Sequence, residues 1–167
     1  EICVVDNDSK DNTVNIVSEF INKYENIKLI RAENRGFNAG NNIGIRNTDS
    51  EYIALLNPDT VLLNNAFKII LDNMNKLHNI GACGAALFHE DLSLNMTHGS
   101  FPTLRETLIR TLKIRNDATY YLPDLSKEIM EVEFPSGADF VFKRELINKI
   151  GLLDEDYFIY FDETDYA

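Results

Sequence analysis

Three short apolar stretches, Ile2 to Val5, Ile27 to Ile30 and Tyr52 to Leu56, each break off into a loop crowded with Asp and Asn. Between and after them the hydrophobic period changes. Val14, Val17, Phe20, Ile21 and Tyr24 recur at helical spacing, with Asp11 or Asn12 available as an N-cap. The run "AENRGFNAGNNIG" packs Gly and Asn too densely for regular structure at first and leads into a short helix. Phe67, Ile70, Leu71, Met74 and Leu77 form an apolar stripe on a further helix. "IGACGAALF", residues 80–88, reads as a strand of small residues suited to close packing. Strands alternating with helices predict parallel βαβ units: an α/β domain whose mostly parallel sheet is covered by helices on both faces.

The rhythm breaks between residue 89 and about residue 133, where "LRETLIRTLKI" predicts a helix among polar stretches and isolated prolines. Such a segment lies over a sheet rather than inside it. The pattern resumes with "GADFVF" at 137–142 and a helix through Ile150. No internal repeat, linker or low-complexity stretch divides the chain, so residues 1–167 read as one domain. At 167 residues with 44% apolar content, it is long enough to bury a sizeable core.

A formal charge of −11 argues against nucleic acid as a partner, since phosphate backbones demand Lys and Arg. A divalent cation, or a ligand carried by one, fits the acidic balance better. No apolar run reaches the length of a membrane span. Cys3 and Cys83 sit in apolar runs, where a free thiol acts as a small hydrophobe, as in a reducing compartment.

In open parallel sheets, ligands bind beyond the carboxyl ends of the strands. That rule selects the three Asp- and Asn-rich loops. The first holds Asp6, Asn7, Asp8, Ser9 and Asp11, and reads as a metal site, a nucleotide contact or a helix-capping turn. Asp6 and Asp8 have the Asp-x-Asp spacing of a phosphatase, but Lys10 stands where that motif wants Thr or Val. The second, Asn34 to Asn42, contains Gly36 and Gly40 but matches neither the dinucleotide fingerprint nor a P-loop. In the third, "LLNPDT", Pro58 stops the strand and Asp59 is presented at the sheet edge. A carboxylate there suits Mg²⁺ or Mn²⁺, with a diphosphate supplying the remaining oxygens. His89, Glu90, Asp91 and His98 match no regular zinc spacing, and His78 reads as a solvated helix end. "FIYF", residues 158–161, reads as core in preference to a sugar-stacking platform.

Taken in order, "VVDNDSKDNT", "ENRGFNAGNNIG", "LLNPDT" and "PSGADFVFKRELINKIGLLDEDYFIYFDETD" resemble the family 2 glycosyltransferases, nearest to their bacterial rhamnosyltransferase-like branch. The resemblance implies the GT-A fold, a Rossmann-like sheet that binds a nucleotide-diphosphate sugar. It implies that Asp6, with Asn7 beside it, contacts the nucleotide base, and that Asn38 and Asn41 lie in a loop against nucleotide and sugar. Asn57-Pro58-Asp59 takes the Asp-x-Asp position, so Asp59 would bind the metal while Asn57 keeps an oxygen but loses a charge. The family's Glu-Asp pair, whose second member is the base, stands here as Asp162-Glu163, which makes Glu163 the candidate base. In an extended segment these neighbours would point opposite ways. Gly137 and Asp139 would lie toward the acceptor.

The implied activity is transfer with inversion of a sugar, rhamnose on the branch resemblance, to a saccharide or lipid-linked acceptor in cell-surface polysaccharide synthesis. The implied setting is cytoplasmic, with peripheral association at the inner face of the plasma membrane through regions outside this chain. Glu1 directly precedes a strand and the chain stops at Ala167 within an acidic stretch, which reads as a domain cut at both ends. A non-catalytic sugar- or partner-binding domain of the same fold is the competing reading.

Overall fold

A computed structural model describes every residue of the chain except 78, 105–107, 109–111, 113–119 and 161. Its contacts cluster into two compact units. The first comprises Glu1–Ile53 with Lys143–Tyr166, the second Ala54–Phe142 with Ala167. The expected helix over 104–114 and the helix-ending His78 fall largely or wholly outside the described residues.

The first unit opens with the βαβ hand that the alternation predicts. Strand β1 (Ile2–Asn7) pairs in parallel with β2 (Ile27–Ala32), from Ile2 opposite Ile27 to Asn7 opposite Ala32. Helix α1 (Thr13–Ile21) makes the crossover and packs against both strands. Asp11 starts it: its Oδ1 accepts from the Thr13 amide at 3.0 Å and the Thr13 hydroxyl at 2.6 Å, while Asn12 makes no side-chain cap. β1 is not the fully buried strand its sequence suggests. Ile2 is exposed, Cys3 to Val5 are half-buried, and among the described residues β2 is its sole ladder partner.

Helix α2 (Phe37–Arg46) then packs on β1. It is the short helix into which the Gly- and Asn-rich run is expected to lead, and it begins within that run, at Phe37. Arg144 secures its far end, donating to the carbonyls of Ile45 at 3.1 Å and Ser50 at 2.7 Å and to the Thr48 hydroxyl at 2.9 Å. A cation among the last carbonyls of a helix is also favoured by the helix dipole. The first unit closes with α4 (Glu145–Ile150) and α5 (Asp162–Tyr166).

In the second unit lie most of β3 (Tyr52–Leu56), then α3 (Ala66–Lys76), whose stripe buries Ile70 and Met74. Strand β4 (Ala82–Cys83) pairs antiparallel with β8 (Asp139–Lys143), in a sheet of order β3-β8-β4. A second sheet sets β5 (His98–Gly99) antiparallel to both β6 (Tyr120–Tyr121) and β7 (Phe134–Pro135). The sheets are therefore mixed, where the alternation predicts one mostly parallel sheet. A connection as long as the one between β4 and β8 permits either strand direction, and β8 runs antiparallel to β4.

The strand expected over residues 80–88 shrinks to two residues for a related reason. Asp139 Oδ2 takes the Ala85 amide at 2.9 Å and Thr97 Oγ1 takes that of Leu87 at 3.1 Å, removing donors a longer ladder would use. The core of this unit is aromatic. Phe134, Phe140, Val141 and Phe142 are at most 2% exposed, and Tyr120 meets the Phe134 ring edge-on at 5.7 Å. Each such side chain contributes about 1.5–3 kcal/mol on burial. Among the described residues, no helix is long and apolar enough to cross a membrane.

Candidate active site

At the carboxyl end of β1 the chain buries a carboxylate. Asp6 is 3% exposed, and its Oδ1 accepts from the Ser9 amide at 3.2 Å in a turn that Asp8 completes with φ +62°. Asp is among the few residues that tolerate this left-handed backbone. Its Oδ2 is buried with no hydrogen-bond partner, the nearest cation being Arg31 Nε at 3.9 Å. Next to it, Asn7 Nδ2 donates weakly to the Gly36 carbonyl at 3.4 Å, and Asn7 Oδ1 is also buried and unpaired. The Asn7 amide fits because residue 40 is glycine. A Cβ there would stand 2.6 Å from Asn7 Nδ2.

Asn38 and Asn41, expected in a loop, are residues of α2. Asn41 Nδ2 donates back to the Phe37 carbonyl at 3.2 Å. Asn38 is 1% exposed; its Nδ2 donates to the Asp154 carbonyl at 2.8 Å and its Oδ1 is buried without a donor. One turn on, Asn42 goes unnoticed in the sequence. It is equally buried, donates to the Leu153 carbonyl at 2.8 Å, accepts from the Leu153 amide at 3.1 Å, and donates to Glu155 Oε1 at 3.1 Å. That amide hydrogen bond, then Arg46 and Arg35 each at 3.4 Å, hold the Glu155 carboxyl below its ordinary range. The four-residue spacing of Asn38 and Asn42, which puts both on one helical face, was the available signal.

The acidic pair lies in α5. Asp162 is its first residue and Glu163, half-buried, its second. The segment is helical and not extended, so successive positions turn by about 100° about the axis. The described residues of the run before it, 158–160, are not the core expected of them, and residue 161 lies outside the described residues. Phe158, Ile159 and Tyr160 are 56%, 55% and 72% exposed.

In the second unit, Asn57 and Asp59 form the turn after β3, with the Thr60 amide and hydroxyl both donating to the Asn57 carbonyl, at 3.2 and 2.7 Å. Asp59 is exposed, whereas Asn57 Oδ1 is buried and unpaired. The Asn57 amide donates to the Ala138 carbonyl at 3.1 Å, which brings this turn beside the one containing Gly137. Asp139 begins β8, 5% exposed. Its Oδ2 accepts from Ala85, its Oδ1 is unpaired, and burial pushes its carboxyl above the ordinary range against the opposing pull of the Ala85 amide.

Among the described residues, the buried side-chain polar atoms without a partner are thus Asp6 Oδ2, Asn7 Oδ1, Asn38 Oδ1, Asn57 Oδ1 and Asp139 Oδ1. All are acceptors, and all belong to residues the sequence nominates for substrate binding. Each costs roughly 1–3 kcal/mol unless something supplies a donor or a cation. Sugar and ribose hydroxyls or base N–H groups would do so. Asn57 Oδ1 and the Asp59 carboxylate are hard oxygen donors on one turn, the set that Mg²⁺ or Mn²⁺ takes when phosphates complete its shell. No group of three or more His, Cys, Asp or Glu residues is placed to hold a metal among the described residues.

Comparison with known proteins agrees. A model of the glycosyl transferase family 2 matches residues 1–151. Chondroitin synthase of Escherichia coli is 29% identical over 76 residues, 46% of this chain but 11% of that protein. The mannosyltransferase PcManGT from Pyrobaculum calidifontis, solved in complex with GDP-Man and Mn²⁺, superposes with a TM-score of 0.60. That match covers 99% of this chain and 41% of the other at 19% identity, a likeness of fold. Spanning only part of each relative, the chain belongs to glycosyl transferase family 2 and carries its α/β, GT-A-like fold.

Proposed function

We propose that this chain binds a nucleotide-diphosphate sugar and transfers the sugar, with inversion, to a hydroxyl of a saccharide or lipid-linked acceptor. The observation that carries the reading is made in each unit by itself: buried, unpaired acceptor oxygens on Asp6, Asn7 and Asn38 in the first, and on Asn57 and Asp139 in the second. Asp6 and Asn7 take the base or ribose, whose N–H and hydroxyl groups supply the missing donors. Asn38 and Asn41 serve the donor side, Gly137 and Asp139 the acceptor side. The GDP-Man and Mn²⁺ bound by PcManGT support a donor and a divalent ion of this kind.

Asp59 and Asn57 would hold Mg²⁺ or Mn²⁺. Bound there, the ion offsets the charge gathering on the departing diphosphate. Glu163 removes the acceptor proton as the hydroxyl attacks the anomeric carbon, a step typically worth about 10²–10⁴-fold. Asp162 supports it from the preceding position. Rhamnose on thymidine diphosphate is the first donor to try, and cell-surface polysaccharide made on the cytoplasmic side of the membrane is the setting.

Calorimetry on the full-length protein with dTDP-rhamnose, GDP-mannose and UDP-sugars tests the donor site. At least one should bind with Mn²⁺ and fail to bind in EDTA, and Asp59→Asn should weaken it tenfold or more. Unchanged affinity in that variant would leave Asp59 a plain turn residue.

A further inference from the structure

The segment that carries the acidic pair is anchored at its end by Tyr166, 7% exposed, whose hydroxyl donates to the Gly151 carbonyl at 3.0 Å, while its middle has little apolar anchorage. Between Leu153, which is 5% exposed, and α5, the described large apolar residues Tyr157, Phe158, Ile159 and Tyr160 are exposed to solvent. What holds residues 153–158 is largely polar, and most of it comes from one helix and the residues just before it. Asn42 grips both the amide and the carbonyl of Leu153, and Asn38 grips the carbonyl of Asp154. Glu155 is held by Asn42, Arg35 and Arg46. At the front of the helix the Phe37 amide donates to the Phe158 carbonyl at 2.7 Å. Gly36 lies so close, at φ +105°, that a Cβ would stand 2.6 Å from that same oxygen. Four residues beyond Phe158 the acidic pair begins. The other face of the helix start meets Asn7, through the Gly36 carbonyl and the gap at Gly40.

We infer that α2 is a positioning element for the acidic pair, with Asn42 its principal positioning residue and Asn38 its second. One short helix thereby references the proposed base to the strand end that carries Asp6 and Asn7. A buried side-chain amide suits the task because it donates and accepts at once, fixing both groups of Leu153 in a way no apolar residue can. The inference rests on the proposed transfer reaction for its consequence in turnover, but not for its mechanical content.

Amide hydrogen exchange on the full-length protein separates the two. In Asn42→Ala, exchange should quicken about tenfold across residues 153–158 and in α5, while the β1 and β2 amides keep their protection. In a nucleotide-release assay with Mn²⁺, the same variant should lose at least tenfold in kcat with donor KM within twofold. Asn42→Asp retains an acceptor for the Leu153 amide but sets a carboxylate beside Glu155, so it should lose as much. Glu155→Gln, which relieves that repulsion, should restore part of the loss. Faster exchange in β1 and β2 as well, or unaltered exchange in α5, would overturn the inference. If Asn42→Ala does not fold, Asn38→Ala carries the exchange expectation alone, at smaller amplitude. A wild type that releases no nucleotide would defeat the transferase reading, with the exchange pattern still deciding whether α2 positions α5.

Discussion

A buried carboxylate oxygen with no donor is tolerable in a native protein only if something else meets it. Asp6 and Asp139 both pose that problem at a strand terminus, the first at the end of β1 and the second at the start of β8. Asp6→Asn should therefore weaken donor binding at least tenfold by calorimetry and leave the circular dichroism spectrum unchanged. Asp139 gives a prediction in pH. Burial raises its folded pKa above the unfolded value, so the folded state holds the proton longer. Its contribution to stability is full at low pH and is lost as pH rises from about 4 through the raised pKa. In urea unfolding, the stability of Asp139→Asn minus that of wild type should climb across that window. A flat difference would contradict the burial argument. Asp6, Asn57 and Asp59 stood out in the sequence because each interrupts or follows an apolar run. Asn42 did not, because a buried amide serving two backbone groups and a carboxylate looks, in one dimension, like any other polar residue.

Helix α2 shows why the start of an element can be hard to place even when its neighbours are read correctly. β1, α1, β2, β3 and α3 were legible from period alone, since burial on one side imposes that period on the sequence. α2 carries three asparagines and two glycines among its residues and has almost no apolar stripe. It stays helical because Asn38 and Asn42 find tertiary hydrogen bonds, Asn41 bonds back one turn, and Gly40 leaves room for Asn7. Gly40→Ala tests this. The three heavy atoms nearest the added methyl all belong to the Asn7 side-chain amide, the first 2.6 Å away, so the cost in stability should stay below about 1 kcal/mol, offset by better helix propensity. Donor affinity should nevertheless fall several-fold, because Asn7 has to move. Unchanged affinity would remove Asn7 from the donor site. On α3, where Met74 is 1% exposed, Met74→Ala should cost roughly 2–5 kcal/mol in urea unfolding with the site residues untouched.

For the whole chain, the α/β class and the order of the site loops followed from the sequence, while the mixed pairing of the sheets did not. Strand direction depends on where the long excursion between β4 and β8 returns, and no local pattern records that. The charge of −11 bears on function at this scale too. An acidic protein has little of its own to offset a departing diphosphate, so turnover should require a divalent ion and vanish in EDTA. Asn57→Asp, which restores a second carboxylate to the turn, should leave the concentration of Mn²⁺ needed for half-maximal rate unchanged or lower. The most direct measurement is nucleotide release by the full-length protein with Mn²⁺ and a panel of dTDP-, GDP- and UDP-sugars, wild type against Glu163→Gln and Asp162→Asn. Release from at least one donor is expected, with Glu163→Gln at least a hundredfold slower at little change in donor affinity and Asp162→Asn much less impaired. Release from no donor, or equal small losses in the two variants, would contradict a transferase with Glu163 as its base.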